Sequence, residues 1–310
     1  MAGTMIHRSD FPIFMQPKPL AAAVTEFWDG FEAPSMREKY FNVMDTDNPY
    51  EMYMGMVGLG NVQRKREGGL PAFDSPRMGR PYTVVFPTYG LGVSISREAQ
   101  DDDKKNQLVP MILRELKKSM IYTQEQDAAD MFNDSFTYQG WETDGVALFS
   151  TLHPVLRQQP GTPAYWSNMH PTDAALSITA LDAARTSLRT TLNDSGRWMD
   201  DIEPKYLDVH PTLVPYAEQI VRSAKVLGSN NNDVNLYFGE LIVRGNPRFR
   251  STSAWFLSAE KHEWVWYNRL KPEIITEIDR KIGATTFITT ARWGRGARSG
   301  RGKYGSRGPS

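Results

Sequence analysis

Residues 106–133, NQLVPMILRELKKSMIYTQEQDAADMFN, decide how the rest of the chain is read. Val109, Ile112, Leu113, Leu116 and Met120 fall at i, i+3, i+4, i+7 and i+11, and Ala128, Met131 and Phe132 resume the stripe. That spacing gathers apolar side chains on one face of an α-helix. Pro110 lacks an N–H and is tolerated only near a helix start, so the helix is expected to begin at about Asn106 and run to about Asn133. At 1.5 Å per residue such a helix measures roughly 40 Å, the length of a spine.

Upstream, Ser96 is a good N-cap, with Arg97-Glu98-Ala99 behind it and acids at Asp101–Asp103, which predicts a short helix near 96–105. Residues 50–95 carry Gly55, Gly58, Gly60, Gly68, Gly69, Gly79, Gly90 and Gly92, with β-favouring stretches at Tyr82–Phe86 and Gly92–Ser96. They read as one long, Gly-hinged β-hairpin, marginal by itself because it has little to pack on. Its charged tip, Gln63-Arg64-Lys65-Arg66-Glu67-Gly68-Gly69, is expected to project. In residues 1–45, Pro12, Pro17, Pro19 and Pro34 break any long helix, while Phe11, Phe14, Phe27, Trp28, Phe31, Tyr40 and Phe41 recur. Aromatic side chains at that density are too costly to leave in water, so the segment is expected to lie as an arm on its own body or on a neighbour.

Downstream of a Pro- and Gly-rich loop at 160–171, Leu181, Ala184, Leu188 and Leu192 share one helical face, and Leu213, Ala217, Ile220, Val221 and Ala224 share another. A strand is expected near Tyr206–Val209. Later β-prone stretches are Leu236–Val243, Ala254–Ser258, Glu263–Tyr267, Glu273–Ile278 and Thr285–Arg292. The class is α+β, and 310 residues is enough chain for about two domains.

Composition excludes several function classes. The chain has 36 Lys+Arg against 36 Asp+Glu, so no global field draws it to nucleic acid or anionic lipid. With no cysteine it has no disulfide, thiolate metal site or cysteine nucleophile. The N-terminal stretch carries no apolar run of signal-peptide length, and no window holds the run of apolar residues a membrane span needs.

Candidate chemistry is sparse. The five histidines, His7, His153, His170, His210 and His262, show none of the HxH, HxxxH or HExxH spacings that put two imidazoles on one side of a metal. Asp144, Ser150 and His153 invite a nucleophile–base reading, yet no GxSxG elbow accompanies them. The basic tail Arg292–Ser310, with Arg295, Arg298, Arg301 and Lys303 as candidate nucleic-acid or subunit contacts, reads as phosphate-binding, as a soluble extension, or as a segment that pairs with acids of a neighbouring subunit. Two competing functions follow: a metal-dependent hydrolase using His153, His170 and His210, and a nucleic-acid binder acting through residues 292–310.

The order of several local patterns carries a resemblance. Ile95-Ser-Arg-Glu-Ala-Gln-Asp-Asp102 precedes the long helix, and Asp144-Gly-Val-Ala-Leu-Phe-Ser-Thr-Leu-His-Pro154 follows it. Then come Pro204-Lys-Tyr-Leu-Asp-Val209, Leu213-Val-Pro-Tyr-Ala-Glu-Gln-Ile-Val-Arg-Ser223, Asn235-Leu-Tyr-Phe-Gly239 and Ala291-Arg-Trp-Gly294. Over nearly its whole length the chain resembles major capsid proteins of tailed bacteriophages with the Hong Kong 97 type fold, most closely the Mu-like major head subunit group.

The resemblance implies an N-terminal arm at 1–48, an extended β-hairpin loop at 49–94 and a peripheral domain with the spine helix at 95–154. An axial domain at 155–267 follows, then a return to the peripheral domain with a basic, Gly-rich tail at 268–310. It implies a non-enzymatic shell subunit of the virion, assembled in the bacterial cytoplasm as pentamers and hexamers around double-stranded DNA. Separate scaffold, portal and decoration proteins are its expected partners, with no cofactor and no membrane. Inter-subunit contacts are expected from Arg64, Lys65 and Arg66 at the loop tip and from Phe11, Phe14, Phe27 and Trp28 in the arm, and loops near Gly161 and Asn230 are expected to face a symmetry axis. Lys65 is the only lysine in residues 49–94, and no partner for a covalent cross-link is identified.

Overall fold

The computed structural model describes residues 35–102, 108–138, 144–157, 162–199, 202–225, 234–235 and 237–309. The arm residues Phe11, Phe14, Phe27 and Trp28, and the loop positions Gly161 and Asn230, lie outside them. The chain forms two compact units, the first built from residues up to Tyr50, Val85–Ala128 and Trp266–Arg295, the second from Glu51–Val84, Ala129–Val265 and Gly296 onward.

The first unit contains a four-stranded sheet. Its strands are β1 (Asn42–Asp45), β4 (Thr88–Ile95), β10 (Trp264–Ile278) and β11 (Thr285–Ala297), in the order β1-β10-β11-β4. β11 runs antiparallel to β4 from Thr285↔Ile95 to Arg292↔Thr88. Helix α2 (Arg97–Asp101) is capped by Ser96, whose hydroxyl accepts from the Ala99 N–H. The spine, α3 (Leu108–Asn133), turns Leu108, Ile112, Leu113 and Leu116 onto Ile95, Ala99 and Phe287. Each such side chain contributes about 1.5–3 kcal/mol on leaving water.

Three sequence expectations change here. Residues 88–95 pair with β11 and not within the hairpin, because Ile95 has the core of this unit to enter. The stretches read as Glu263–Tyr267 and Glu273–Ile278 are one 15-residue strand. Residues 35–45, taken as part of the arm, belong to this unit: α1 (Met36–Tyr40) leads into β1, Tyr40 and Phe41 are buried, and Phe41 packs edge-on against Trp266 at 5.8 Å. The stripe also hid a polar function of the spine, since buried Gln124 accepts from the Arg37 guanidinium and buried Glu125 from the Ser35 hydroxyl.

The second unit has its own four-stranded sheet, β12 (Lys303–Ser306), β9 (Trp255–Ala259), β7 (Pro204–Val209) and β8 (Ile242–Gly245), in that order. β7 is parallel to β8 and antiparallel to β9. Helices α4 (Ile178–Arg189) and α5 (Val214–Arg222) bury Leu181, Ala184 and Leu188 and Ala217, Ile220 and Val221 in one core with Leu207, Val209, Trp255 and Leu257. Two short strands, β5 (His153–Pro154) and β6 (Tyr165–Trp166), form a separate pair. Strands β2 (Tyr50–Val57) and β3 (Arg77–Val85) form a two-stranded ribbon joined by residues 58–76. Gly79 is required in it, because a Cβ there would stand 2.6 Å from the Gly55 carbonyl oxygen.

Candidate assembly surfaces

Little of the β2–β3 ribbon is buried: Val57 in β2 and Tyr82 and Val84 in β3. Met52, Met54, Met56 and Met78 are exposed, and in the connecting loop Val62, Leu70 and Phe73 are 100%, 87% and 86% exposed. Exposed apolar side chains at this density on one element suit a binding surface. Methionine, unbranched and polarizable, suits a surface that must fit another.

The loop is held at its neck. Asp74 Oδ2 accepts from the Gly60 N–H at 2.7 Å and from the Arg157 guanidinium at 2.7 Å, and Oδ1 accepts from the Ser75 N–H at 2.9 Å. The Arg157 hydrogen bond, then that of Gly60, pulls the Asp74 carboxyl down to about 2. Arg197 donates to the carbonyls of Leu59 and Gly60. Beyond the neck Arg64, Lys65 and Arg66 are exposed, and the tip turns where the Gly69 N–H reaches the Arg66 carbonyl at 3.1 Å, with Gly68 at φ +71°.

The Asp144–His153 pair is structural. His153 is fully buried, stacked on Trp166 at 4.3 Å, with Nδ1 2.6 Å from Asp144 Oδ2 and Nε2 3.0 Å from Asn168 Oδ1. The Asn168 amide is oriented by its own bonds: Nδ2 donates to the carbonyls of Leu148 and Gly300, and Oδ1 accepts from the Ser150 N–H. Both imidazole nitrogens therefore face acceptors, and neither is presented to a nucleophile. The Ser150 hydroxyl instead accepts from the Leu152 N–H. Burial pushes the Asp144 carboxyl up, but the His153 hydrogen bond and charge, the Val146 N–H and Arg80 together hold it below the ordinary carboxylate value. His170 and His210 each bond the threonine two residues on, Thr172 and Thr212. Among the described residues no group of three or more His, Asp or Glu could hold a metal ion.

Of the segment read as phosphate-binding, as a soluble extension or as a partner for a neighbouring subunit, Arg295, Arg298, Arg301 and Lys303 are engaged within the chain. Arg295 pairs with the Asp127 carboxylate and carbonyl. Arg298 lies over the Tyr53 ring at 4.7 Å. Arg301 is buried, donates to the Leu192 carbonyl and the Asp194 carboxylate at 2.7 and 2.8 Å, and covers Trp166 at 4.7 Å. Lys303 is wholly buried, its ammonium 4.3 Å from the Trp264 ring centre and 5.1 Å from that of Phe132. Desolvation brings its pKa down to about 7, with Asp208 opposing and Arg244 adding to the effect. Asp208 is itself clasped by Arg244 at 2.6 and 2.8 Å and by the Ser258 hydroxyl at 2.8 Å. Pairing of β12 with β9 draws Lys303–Ser306 into the sheet.

The spacing arguments did not find Asp74 or Asn168. Asp74 is followed by Ser-Pro, a turn signal that could have marked the neck. Asn168 carries no local signal, because its partners come from Leu148, Ser150, His153 and Gly300.

A family model described as "Phage capsid protein" matches residues 81–304. No curated protein sequence matches the chain. Among solved structures, the capsid of a native GTA particle is similar at 10% identity and a TM-score of 0.57, over 88% of this chain and 90% of that chain. A chain of Mycobacterium phage Patience is similar at 10% identity and a TM-score of 0.55, over 92% of this chain and 85% of that one. The capsid of bacteriophage JBD30, decorated with minor capsid protein trimers, is similar at 16% identity and a TM-score of 0.53, over 73% and 95%. At these identities the structural likeness speaks to the fold.

Proposed function

This chain belongs to the phage capsid protein family, and from that premise we propose that its copies form pentamers and hexamers that tile an icosahedral shell around double-stranded DNA. It is a major capsid protein of the virion, a structural protein with the Hong Kong 97 type fold. The finer reading places it in the Mu-like group, assembling in the bacterial cytoplasm with separate scaffold, portal and decoration proteins. In that reading the ribbon loop, through Arg64, Lys65 and Arg66, and the arm, through Phe11, Phe14, Phe27 and Trp28, lie across neighbouring subunits.

The observation that supports it most is the apolar outer face of β2–β3 with its loop. Left in water that face is a standing cost, and burial against sister copies removes it, so folding and assembly share one driving force. The histidine and basic-tail alternatives lose support, because His153, Arg301 and Lys303 have internal partners.

Negative-stain microscopy of the concentrated chain tests the proposal, with closed polyhedra or rings as the expected result and a monomer at every concentration as the refuting one. For the arm, the informative deletion removes residues 1–34 and keeps Tyr40 and Phe41, which the first unit needs for its own core. It should leave folded protein that no longer closes shells, and normal particles from it would refute the arm's role.

A further inference from the structure

The chain has 14 methionines and no cysteine. Thiolates are the side chains an oxidant ordinarily meets first, so on this chain the thioethers take their place. Four of them stand together on the ribbon. Met52, Met54 and Met56 alternate along β2, all exposed, and alternate residues of a strand share a face. On β3, Met78 is 71% exposed and adjoins Gly79, which packs against the Gly55 carbonyl between Met54 and Met56.

Methionines of the spine helix are shielded. Met120 and Met131 are 5% and 0% exposed, so an oxidant in solution reaches the ribbon before it reaches them. The ribbon's own packing does not depend on its four thioethers, because its buried side chains are Val57, Tyr82 and Val84. A sulfoxide formed at any of the four faces water on the free chain and costs it little. Pressed against an apolar surface that offers no donor, the same S=O group becomes an unmet hydrogen-bond acceptor. Oxidation here therefore acts on contact and not on folding.

Resting on the reading of this chain as a shell subunit, we propose that Met52, Met54, Met56 and Met78 form a reversible oxidation site through which a hydroperoxide blocks assembly of the free chain. The sulfur lone pair attacks the hydroxyl oxygen of the peroxide, the O–O bond breaks as the S–O bond forms, and the hydroxyl proton passes to the leaving oxygen. Each sulfur loses two electrons to the peroxide, and the products are a sulfoxide and water or an alcohol. Methionine sulfoxide reductases reverse the change, one enzyme for each sulfoxide epimer. Thioethers covered in a finished shell are out of reach, so the site responds before assembly and not after it.

In the test, the full-length chain is treated with dilute hydrogen peroxide, freed of it and compared with the untreated parent. Peptide mass spectrometry should place the added oxygen on Met52, Met54, Met56 and Met78 ahead of Met120 and Met131. The melting temperature should stay that of the parent, while the concentration needed for assembly rises about tenfold or more. Both sulfoxide reductases, supplied with a thiol reductant, should restore the parent value. Replacing all four methionines by leucine, apolar, of similar volume and without sulfur, should give a chain that assembles equally before and after peroxide. Should that variant fail to assemble at all, restoration of the oxidised parent by the reductases decides the matter. An oxidised chain that assembles at the parent concentration overturns the proposal and leaves the shell reading standing. So does lost assembly with a lowered melting temperature and oxygen on Met120 or Met131, which means core damage. A leucine variant that peroxide disables as it does the parent overturns it as well, by placing the sensitive group elsewhere. Failure of the untreated parent to assemble under any condition removes the shell reading, and the role of this site with it.

Discussion

Strands β9 and β2 show two ways of using the same backbone conformation. Every residue of β9 is buried, and its neighbours β7 and β12 supply partners on both edges. In β2 only Val57 of eight residues is buried, and the single neighbour is β3. The first region is finished within one chain, down to a lysine enclosed by aromatic rings and a histidine bonded through both nitrogens. The second has its neck fastened and its apolar face open. The contrast teaches that stability and assembly are assigned to different parts of this sequence, so substitutions should separate them.

The sharpest break falls in the finished region. Asp144→Leu leaves the buried His153 ring and the Val146 N–H without their acceptor, at about 1–3 kcal/mol for each unsatisfied donor. Urea unfolding followed by tryptophan fluorescence should show the midpoint fall accordingly, and an unchanged midpoint would mean that the pair does not support the β5–β6 region.

Next in size is a gain. Lys303 has a pKa of about 7 in the fold against 10.5 ordinarily, so between those values the unfolded chain binds a proton that the folded chain does not. Stability should therefore rise as pH climbs through that window. Lys303→Met should abolish the rise and, near pH 7, stabilise by roughly 1–4 kcal/mol, since an apolar side chain of similar volume escapes the desolvation penalty. Melting temperatures across pH 6–10 check both, and a destabilised variant would show that the ammonium's contacts outweigh its burial.

Smaller still is the neck. Asp74→Ala should leave the melting temperature near that of the parent while trypsin cuts at Arg64, Lys65 and Arg66 faster, because the clasp orders the loop and supports no core. Smallest in stability is Met56→Ser, expected within about 0.5 kcal/mol of the parent because the side chain already faces water. Light scattering should nevertheless show assembly weakened. A stability loss without an assembly defect would place Met56 in the finished region and undo the comparison.

The parts of this division that could be read from sequence were the local ones. The spine stripe, the Ser96 cap and the two later helices follow from spacing within a few turns, and the structure has α3 at Leu108–Asn133 and α5 at Val214–Arg222. The turn at Arg66–Gly69, next to exposed basic residues, was legible for the same reason. Pairing was not. Residues 88–95 carry the same β-favouring pattern whether they close a hairpin or join β11, and the choice is made by Phe287, far along the chain. Nor did the charge pattern of residues 292–310 show that Arg295 and Arg301 meet Asp127 and Asp194, or that Lys303 lies near Asp208, because burial there depends on β12 finding β9.

Amide hydrogen exchange, compared between the unassembled chain and its assembled form, tests the central claim most directly. The account predicts that β9 and β12 exchange slowly in both, whereas peptides within 50–57 and 62–85 exchange quickly alone and slow by an order of magnitude or more on assembly. Equal exchange of those peptides in the two states, with particles present, would contradict it.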